Sequence, residues 1–166
     1  STLHSFLNSR GVGYSGGISS PNTAFKNGSR LSVHLAWGTI SLRSIFAEIG
    51  KKRSDLKNEE SCSSWKRSLR AFESRLHWRD HFIQRLESFP NMETHTLNPA
   101  FENLEYENDE GLLDIWIAGQ TGFPMVDACM RCLAQTGFMN FRMRAMIVSF
   151  ACFGLHLSWR LIHEPL

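Results

Sequence analysis

A long apolar stripe with helical spacing is the feature that most limits how this chain can fold. Successive members of the stripe are 4, 3, 4, 7 and 3 residues apart: Trp65, Leu69, Phe72, Leu76, Ile83 and Leu86. This spacing places the six side chains on one face of one helix. Ser63 or Ser64 can cap its start, and Pro90 ends it because proline cannot continue the backbone hydrogen bonds. The fold must therefore bury one face of a long helix.

Other segments have helical periodicity too, and no run of four or more residues alternates between apolar and polar as a strand would. Further helices are predicted from near Leu31 to a C-cap at Gly50, over 111–118, from near Pro124 to Gly137, and over 140–159. Thr121 is the predicted N-cap of the helix at Pro124. The apolar face of that helix is expected to contain Met125, Ala128, Cys129, Cys132 and Leu133. The last helix is apolar on nearly all sides, which predicts a buried central helix. The predicted class is all-α.

The amino-acid composition predicts loops between these helices and excludes some classes of protein. Residues 11–29 are rich in Gly, Ser, Asn and Pro and predict a long loop, 51–64 predict a polar connection, and 91–110 predict an acidic loop. The 166 residues fit a single domain. With 42% hydrophobic residues and no apolar run of about 18 residues, the chain is neither disordered nor membrane-spanning. Four cysteines and the lack of a signal peptide predict a cytoplasmic protein.

Charge is distributed unevenly along the chain. Residues 1–85 carry 14 Lys and Arg against 6 Asp and Glu, whereas 86–130 carry 9 acidic residues and no Lys or Arg. A basic segment attracts the phosphates of nucleic acids or of cofactors. The alternative is that the two segments face each other or the solvent.

Two groups of residues are candidates for binding an anion. The sequence Gly-Ser-Arg-Leu-Ser at 28–32 offers backbone N–H groups, hydroxyls and the Arg30 guanidinium to a phosphate, although such a loop is also an ordinary helix start. Arg142 and Arg144 interrupt the apolar helix at 140–159. A buried arginine needs an anionic partner, which is either a protein carboxylate or a bound phosphate.

Two further pairs of residues favour a structural role over a metal site. His77 and His81 are four residues apart and could reach one ion, but no third ligand is evident. Cys129 and Cys132 form a C-x-x-C on an apolar helix face, where small core residues are the better interpretation. No metal is predicted.

Three motifs, in order along the chain, resemble the photolyase/cryptochrome family. Residues 121–128, TGFPMVDA, resemble the family's T-G-Y-P-x-V-D-A, and the similarity continues in register to Trp159. Residues 28–41 resemble T-S-R-L-S-x-x-L-x-x-G-x-I-S, and residues 76–80, LHWRD, resemble the family's L-x-W-R-[DE]-F element. The motifs cover roughly residues 14–160, and by them the chain is identified as a member of this family, within its helical FAD-binding domain.

The resemblance implies FAD as cofactor and assigns roles by position. On the phosphate side of FAD it places Tyr14, Gly28, Ser29, Arg30, Leu31 and Ser32. On the side of the flavin ring it places Phe72, Arg79, Arg142 and Arg144. Trp159 matches the middle tryptophan of the photoreduction chain, and Tyr106 takes the position of the tryptophan at its surface end. Trp78 matches a tryptophan that borders the flipped pyrimidine dimer.

Two of the departures from the family pattern concern residues near the cofactor or the dimer. Residues 138–141 read FMNF where W-M-H-N is usual, and Arg75 replaces a glutamate that binds the dimer in many photolyases. The family's N-terminal α/β antenna domain is absent, and the sequence ends before the segment that carries the acidic partners of the flavin, so a fragment or truncated member is expected.

The resemblance implies light-driven repair of pyrimidine dimers in DNA by electron transfer from reduced FAD. Damaged or single-stranded DNA is the expected partner, and the activity would be of the deoxyribodipyrimidine photo-lyase type in the full-length protein. We expect this chain alone to be inactive. The alternatives are a cryptochrome-like photoreceptor without repair activity and a flavin-free helical module that binds DNA or protein.

Overall fold

The computed structural model describes residues 1–58 and 62–166, and the described residues contain helices and no β-strand. The α-helices are α1 (Thr2–Asn8), α2 (Tyr14–Gly17), α3 (Pro21–Asn27), α4 (Ser32–Ala36), α5 (Leu42–Asp55), α6 (Ser63–Ser88), α7 (Glu110–Ile117), α8 (Pro124–Thr136), α9 (Phe141–Ser149) and α10 (Trp159–Ile162). Short 3-10 helices lie at Arg10–Gly13, Leu56–Asn58, Pro90–Glu93 and Pro99–Phe101, and a π-helix lies at Phe150–Gly154. The all-α prediction is confirmed.

The chain forms two compact units, Ser1–Glu87 and Ser88–Leu166, which we call unit 1 and unit 2. Each has its own apolar core. Within the described part of the chain, no helix has both the length and the apolar character needed to cross a bilayer.

The core of unit 1 is built on the first half of α6. Leu69, Phe72 and Leu76 are buried and belong to one cluster with side chains from α1, α5 and the short helices before them. These partners are Leu3, Phe6, Leu7, Tyr14, Leu31, Ile45, Ile49, Leu56 and Cys62. The predicted long helix is confirmed. Its stripe is buried only in part, since Ile83 and Leu86 near its end are 40% and 45% exposed.

The loop predicted over 11–29 is wrong, because α2, α3 and a 3-10 helix occupy most of it. Contacts distant in sequence hold this glycine-rich segment. The buried Ser68 hydroxyl on α6 donates to the Val12 carbonyl at 2.8 Å and accepts from the Ser15 N–H at 3.1 Å. Pro21 begins α3, where its missing N–H costs nothing.

The helix predicted from Leu31 to Gly50 is two helices. Gly38 lies between α4 and α5 with φ +66, a left-handed conformation that ends α4. The Ser41 hydroxyl caps α5 by accepting from the Ser44 N–H at 3.1 Å. Gly50 does not end α5, which continues to Asp55, so the polar connection begins later than predicted. Residues 59–61 of that connection lie outside the described part.

In unit 2, α7 and α8 are confirmed close to their predicted ends. Gly137 closes α8 in the left-handed conformation, with φ +64, and its N–H donates to the Leu133 carbonyl at 2.8 Å. The predicted apolar face of α8 is rotated from the observed one. Its core side contains Val126, Cys129 and Met130, whereas three members of the predicted face are exposed: Met125, Ala128 and Cys132.

The single buried helix predicted over 140–159 is also wrong. Helix α9 passes into the π-helix, and residues 155–158 leave the helical path before α10, with His156 at φ +55. The Leu157 N–H turns back to the Ala151 carbonyl at 3.0 Å. Only one side is buried, since Phe141 and Phe153 are 79% and 83% exposed. The apolar composition of this segment therefore led to a wrong prediction, because some of its apolar side chains face the solvent.

Candidate functional site

The loop from Gly28 to Ser32, between α3 and α4, has an unusual backbone at Arg30. Arg30 has φ +57, a conformation that non-glycine residues adopt rarely and at a cost of about 1 kcal/mol or more. Its guanidinium folds back on α3, where Nε and Nη2 donate to the Phe25 carbonyl at 2.9 and 2.6 Å. The guanidinium carbon lies 4.0 Å from the centre of the Phe25 ring. Nη1 of this exposed side chain makes no hydrogen bond to the described residues.

Other donors in the same loop are unused. The Ser29 Oγ accepts from the Leu31 N–H at 3.4 Å, and neither the Ser29 nor the Ser32 hydroxyl has an acceptor in the described part of the chain. Leu31 is 2% exposed and anchors the loop to the core. Hydroxyls, N–H groups and a guanidinium are the donor set that binds phosphate oxygens. The residues present therefore fit the phosphate side of a nucleotide cofactor such as FAD.

Tyr14 and Phe72 lie together inside unit 1. Their ring centres are 5.5 Å apart, and Phe6 contacts both rings edge to face. Burial raises the pKa of Tyr14 to about 12, and the positive charge of Arg75 opposes this rise. Phe72 is 2% exposed, so its ring supports Tyr14 from within the core.

The exposed part of α6 brings Arg79 and Trp78 to the surface. An Arg79 Nη2 donates to the Leu35 carbonyl of α4 at 3.4 Å, and the Asp80 carboxylate is 3.9 Å from the guanidinium. Trp78 is 50% exposed, and its ring lies 5.7 Å from that of His81 and 5.9 Å from that of Phe82. The indole face is therefore available to a planar group.

The two histidines of the sequence analysis line a shallow groove along α6. The groove contains Arg70, Glu73, Ser74, His77, Trp78 and His81. Glu73 is already held by Arg53, with Nη1 and Nη2 at 3.1 and 2.5 Å from its two oxygens. No group of three or more His, Cys, Asp or Glu side chains in the described residues is placed to hold a metal ion.

In unit 2 the turn at 121–124 is held by a carboxylate rather than open to a ligand. Asp127 accepts from the Thr121 N–H at 2.8 Å, the Thr121 hydroxyl at 2.5 Å and the Gly122 N–H at 3.0 Å. These hydrogen bonds, led by the Thr121 hydroxyl, lower the pKa of Asp127. The predicted capping by Thr121 is wrong, because α8 begins after Phe123 and the Thr121 hydroxyl bonds Asp127 instead.

The two arginines of α9 are not buried as the sequence analysis expected. Arg142 is exposed, and Arg144 is half-buried and donates to the Leu166 carbonyl. Both side chains thus need no internal carboxylate. The cysteines also differ from expectation, since Cys129 is buried and Cys132 is exposed. Burial raises the pKa of the Cys129 thiol.

Tyr106 and Trp159 lie on segments that are joined by hydrogen bonds. The Glu107 N–H donates to the His156 carbonyl at 3.2 Å, and the Ser158 N–H donates to the Asn108 side chain at 2.9 Å. The Tyr106 ring lies 5.9 Å from that of His156. Tyr106 comes directly before Glu107, and Trp159 comes directly after Ser158 at the start of α10, so each ring is next to a hydrogen-bonded residue.

Arg160 fixes Trp159 from the other side. Its guanidinium carbon is 4.9 Å from the centre of the Trp159 ring, within the range of a cation–π contact. Its Nη2 donates to the Glu102 carboxylate at 2.7 Å, and its Nε donates to the Thr94 carbonyl at 3.0 Å. Hydrogen bonds from Thr96 are the main cause of the lowered pKa of Glu102.

Four residues of these arrangements were not found from the sequence. Ser68 and Arg10 act on loops distant in sequence, and Asp127 and Glu102 hold turns through their carboxylates. Asp127 was visible only as a letter of the TGFPMVDA motif. No periodicity or spacing marks the other three.

Comparison with known proteins places these residues in a family. Residues 72–166 match the family model described as the FAD binding domain of DNA photolyase. A deoxyribodipyrimidine photo-lyase of Thermus thermophilus is 34% identical over 139 residues, and a cryptochrome DASH of Synechocystis is 34% identical over 132 residues. These matches cover 84% and 80% of this chain, but 30% and 26% of the relatives.

Solved structures agree with the sequence matches. The class III photolyase of Agrobacterium tumefaciens superimposes with a TM-score of 0.83 at 30% identity, covering 96% of this chain and 31% of that protein. The Synechocystis cryptochrome superimposes with a TM-score of 0.82 at 29% identity, covering 96% and 32%. The chain thus spans less than a third of these relatives. Because the family model matches more than half of it, the chain belongs to the DNA photolyase family and contains part of the FAD-binding domain.

Proposed function

We propose that this chain is part of a light-driven flavoprotein that binds FAD and repairs pyrimidine dimers in DNA. The observation that carries the proposal is the loop at 28–32, whose guanidinium and hydroxyl donors have no partner of opposite charge in the described residues. Reduced FAD, when bound and excited by light, supplies the electron that splits the dimer. The proposal includes a cytoplasmic location, in line with the cysteine content.

Roles in binding the cofactor are proposed first for residues of unit 1. Arg30, Ser29 and Ser32 would bind the pyrophosphate through charge-assisted and hydroxyl hydrogen bonds. Gly28 leads into this loop, while Leu31 and Tyr14 fix it to the core. Also within unit 1, Arg79 would stabilise negative charge on the flavin ring, and Phe72 would support Tyr14 from the core. For Arg142 and Arg144 of unit 2, a contact with the flavin is proposed only from their positions in the family motif.

Electron supply is assigned to Tyr106 and Trp159. The two hydrogen bonds between 107–108 and 156–158 fix the segments that carry these rings. Rigid spacing favours electron transfer, because small displacements of reacting groups change rates strongly. Tyrosine at the surface end would also lose its proton on oxidation, which differs from a tryptophan at that position.

Binding of damaged DNA is assigned to α6. The half-exposed Trp78 ring can stack on a base turned out of the helix. Exposed cations on α5 and α6 would contact the DNA phosphates: Arg43, Lys66, Arg67, Arg70 and Arg75.

Arg75 is also the observation that favours a second candidate function. A guanidinium only donates hydrogen bonds, so Arg75 cannot accept the thymine N–H as a carboxylate would. The second candidate is a cryptochrome-like photoreceptor in which Tyr106 and Trp159 act and dimer repair is lost. The similarity to a Synechocystis cryptochrome agrees with it equally well.

One experiment separates these candidates. The 166-residue chain is mixed with FAD, and its visible absorption spectrum is recorded before and after blue light with an electron donor. Binding with photoreduction, followed by dimer loss from irradiated oligonucleotides, supports repair. Binding and photoreduction without dimer loss support the photoreceptor, and a spectrum of free FAD contradicts both.

Two variants test photoreduction and DNA binding separately. Tyr106→Phe is expected to slow photoreduction without changing FAD affinity, because phenylalanine has no phenol to oxidise. Trp78→Ala is expected to weaken binding of dimer-containing DNA by about tenfold, since stacking on an aromatic ring is worth about 1–3 kcal/mol per base. The matched control is Phe153→Ala, an exposed aromatic residue of unit 2.

A further inference from the structure

The guanidinium of Arg10 joins three segments of unit 1 through neutral acceptors. Its Nε donates to the Ser5 hydroxyl at 3.0 Å, and Nη2 donates to the Thr2 carbonyl at 3.1 Å. Its other contacts reach the loop at 28–32, where Nη1 donates to the Gly28 carbonyl and Nη2 lies 3.4 Å from the Ser29 carbonyl. Arg10 thereby ties α1 to the loop, although it lies outside every motif of the sequence analysis.

The charge of Arg10 is not neutralised by any carboxylate in the described part of the chain. Burial and, to a smaller extent, the positive charge of Arg30 lower its pKa. An arginine whose pKa is somewhat lowered is still a cation at neutral pH. Two guanidinium groups with like charge are therefore close to the same loop, and an anion bound there would relieve their repulsion.

The contacts of Arg10 also determine where the loop's N–H groups point. A trans peptide places the N–H opposite the carbonyl of the preceding residue, and the chain has no cis peptide in its described part. Because the Gly28 and Ser29 carbonyls face Arg10, the N–H groups of Ser29 and Arg30 face away from it. Neither N–H has a hydrogen-bond acceptor in the described residues.

We propose that Arg10 is a positioning residue for the binding of a pyrophosphate group at this loop. By holding two carbonyls, it turns the Ser29 and Arg30 N–H groups toward the ligand, and its charge adds to that of Arg30. The inference rests on the proposed function, in which the loop binds the pyrophosphate of FAD. The inference adds Arg10, a residue that does not contact the ligand itself. Because Arg10 adds a second positive charge near the loop, the loop is expected to prefer a group with more than one negative charge.

The test compares ligands that differ only in the pyrophosphate. The chain and its variants are titrated by calorimetry with ADP and with adenosine. We expect Arg10→Lys to weaken ADP binding by about tenfold, because lysine keeps the charge but lacks the planar fork that holds two carbonyls. Adenosine binding should not change. Lys26→Gln removes an exposed charge from neighbouring α3 and should leave both affinities within about twofold.

The titrations can contradict either the role of Arg10 or the proposed function. Full ADP affinity in Arg10→Lys would overturn the positioning role, and so would an equal loss for adenosine, which would indicate general damage to unit 1. If the unaltered chain binds no ADP, the proposed function itself fails.

A second measurement needs no variant. With the unaltered chain, inorganic pyrophosphate is expected to shift the amide resonances of Ser29 and Arg30 more than those of the neighbouring Asn27 and Val33. Binding of pyrophosphate without movement of these two resonances would also overturn the proposal.

Discussion

The two glycine-containing motifs that carry the family resemblance do different work in the two units. In unit 1, the loop at 28–32 leaves hydroxyls, N–H groups and one guanidinium nitrogen without acceptors among the described residues. In unit 2, the turn at 121–124 directs three similar donors to one carboxylate, that of Asp127. The first motif is the one proposed to bind an external anion, whereas the second already has its anionic partner in Asp127.

The difference comes from the neighbours and not from the motif residues. Both motifs combine glycine with a hydroxyl residue, and both have unusual backbone angles, at Arg30 with φ +57 and at Gly122 with φ +82. Asp127 follows its turn on the first turn of α8 and reaches back to it. The loop at 28–32 is instead supported by the cation Arg10. A carboxylate completes the turn, whereas a cation prepares the loop for an anion.

The largest effect is expected from Asp127→Asn. An amide keeps one acceptor oxygen but directs its NH₂ group at donors, so at least one of the three part-buried hydrogen bonds is lost without replacement. The thermal unfolding midpoint of the chain should fall more than for any other variant described here, without loss of ADP affinity. Asp114→Asn, at an exposed position of α7, is the matched control. An unchanged midpoint in Asp127→Asn would remove the contrast between the two motifs.

The same carboxylate predicts a dependence of stability on pH. Because the pKa of Asp127 is lower in the folded chain than its ordinary value, the ionised form stabilises the fold. The contribution is complete above the ordinary carboxyl pKa of about 3.9 and is lost as the pH falls below it. Urea unfolding between pH 7 and pH 3 should show a steeper acid loss in the unaltered chain than in Asp127→Asn. Parallel curves would contradict this.

A smaller effect, on binding instead of stability, is expected from Arg30→Ala. A hydrogen bond to a charged group is worth about 1.5–3 kcal/mol, so FAD affinity should fall by roughly ten- to a hundredfold. The unfolding midpoint should change little, because the exposed Arg30 side chain makes its hydrogen bonds and its cation–π contact within the described residues to Phe25 alone. Lys26→Ala serves as control, and calorimetric titration measures the affinity. Unchanged FAD affinity would argue that the loop is an ordinary helix start.

The smallest effect is expected from Ser68→Ala. The change removes one hydrogen bond to the Val12 carbonyl and one from the Ser15 N–H, which lie on either side of Tyr14 in the sequence. The loss should reduce the free energy of unfolding by about 1–2 kcal/mol and weaken FAD binding by only a fewfold. Ser64→Ala, at an exposed position of the same helix, should have no measurable effect. Equal unfolding curves for the two variants would show that Ser68 does not order the segment before Tyr14.

Sequence patterns predicted the fold correctly where the signal is local to one helix. The stripe from Trp65 to Leu86 predicts α6, and Gly137 predicts the end of α8, because both signals are local. The segment 11–29 was predicted as loop because its glycines and serines have weak helix propensity. Its short helices depend on Ser68, which is distant in sequence, and on Arg10, which bonds to Gly28 at the other end of the segment. Neither residue has a periodic signature.

The candidate site was predictable in part for the same reason. The motif at 28–32 contains the donors themselves, so Ser29, Arg30 and Ser32 are evident in the sequence. The sequence does not show that Arg10 supports these donors from behind the loop. It also led to a wrong prediction for Arg142, which was expected to be buried because its neighbours in the sequence are apolar, but is exposed. Apolar composition reports which residues can be buried, but not which side of a helix faces the solvent.

The most direct test of the account compares FAD with riboflavin in the unaltered chain. The two share the flavin ring, and only FAD carries the pyrophosphate that the loop at 28–32 is proposed to bind. We expect calorimetric titration to give FAD an affinity at least about tenfold higher than that of riboflavin, as one charge-assisted hydrogen bond requires. This difference should decrease as salt is raised. Equal affinities for the two ligands at low salt would contradict the assignment of this loop as the phosphate site.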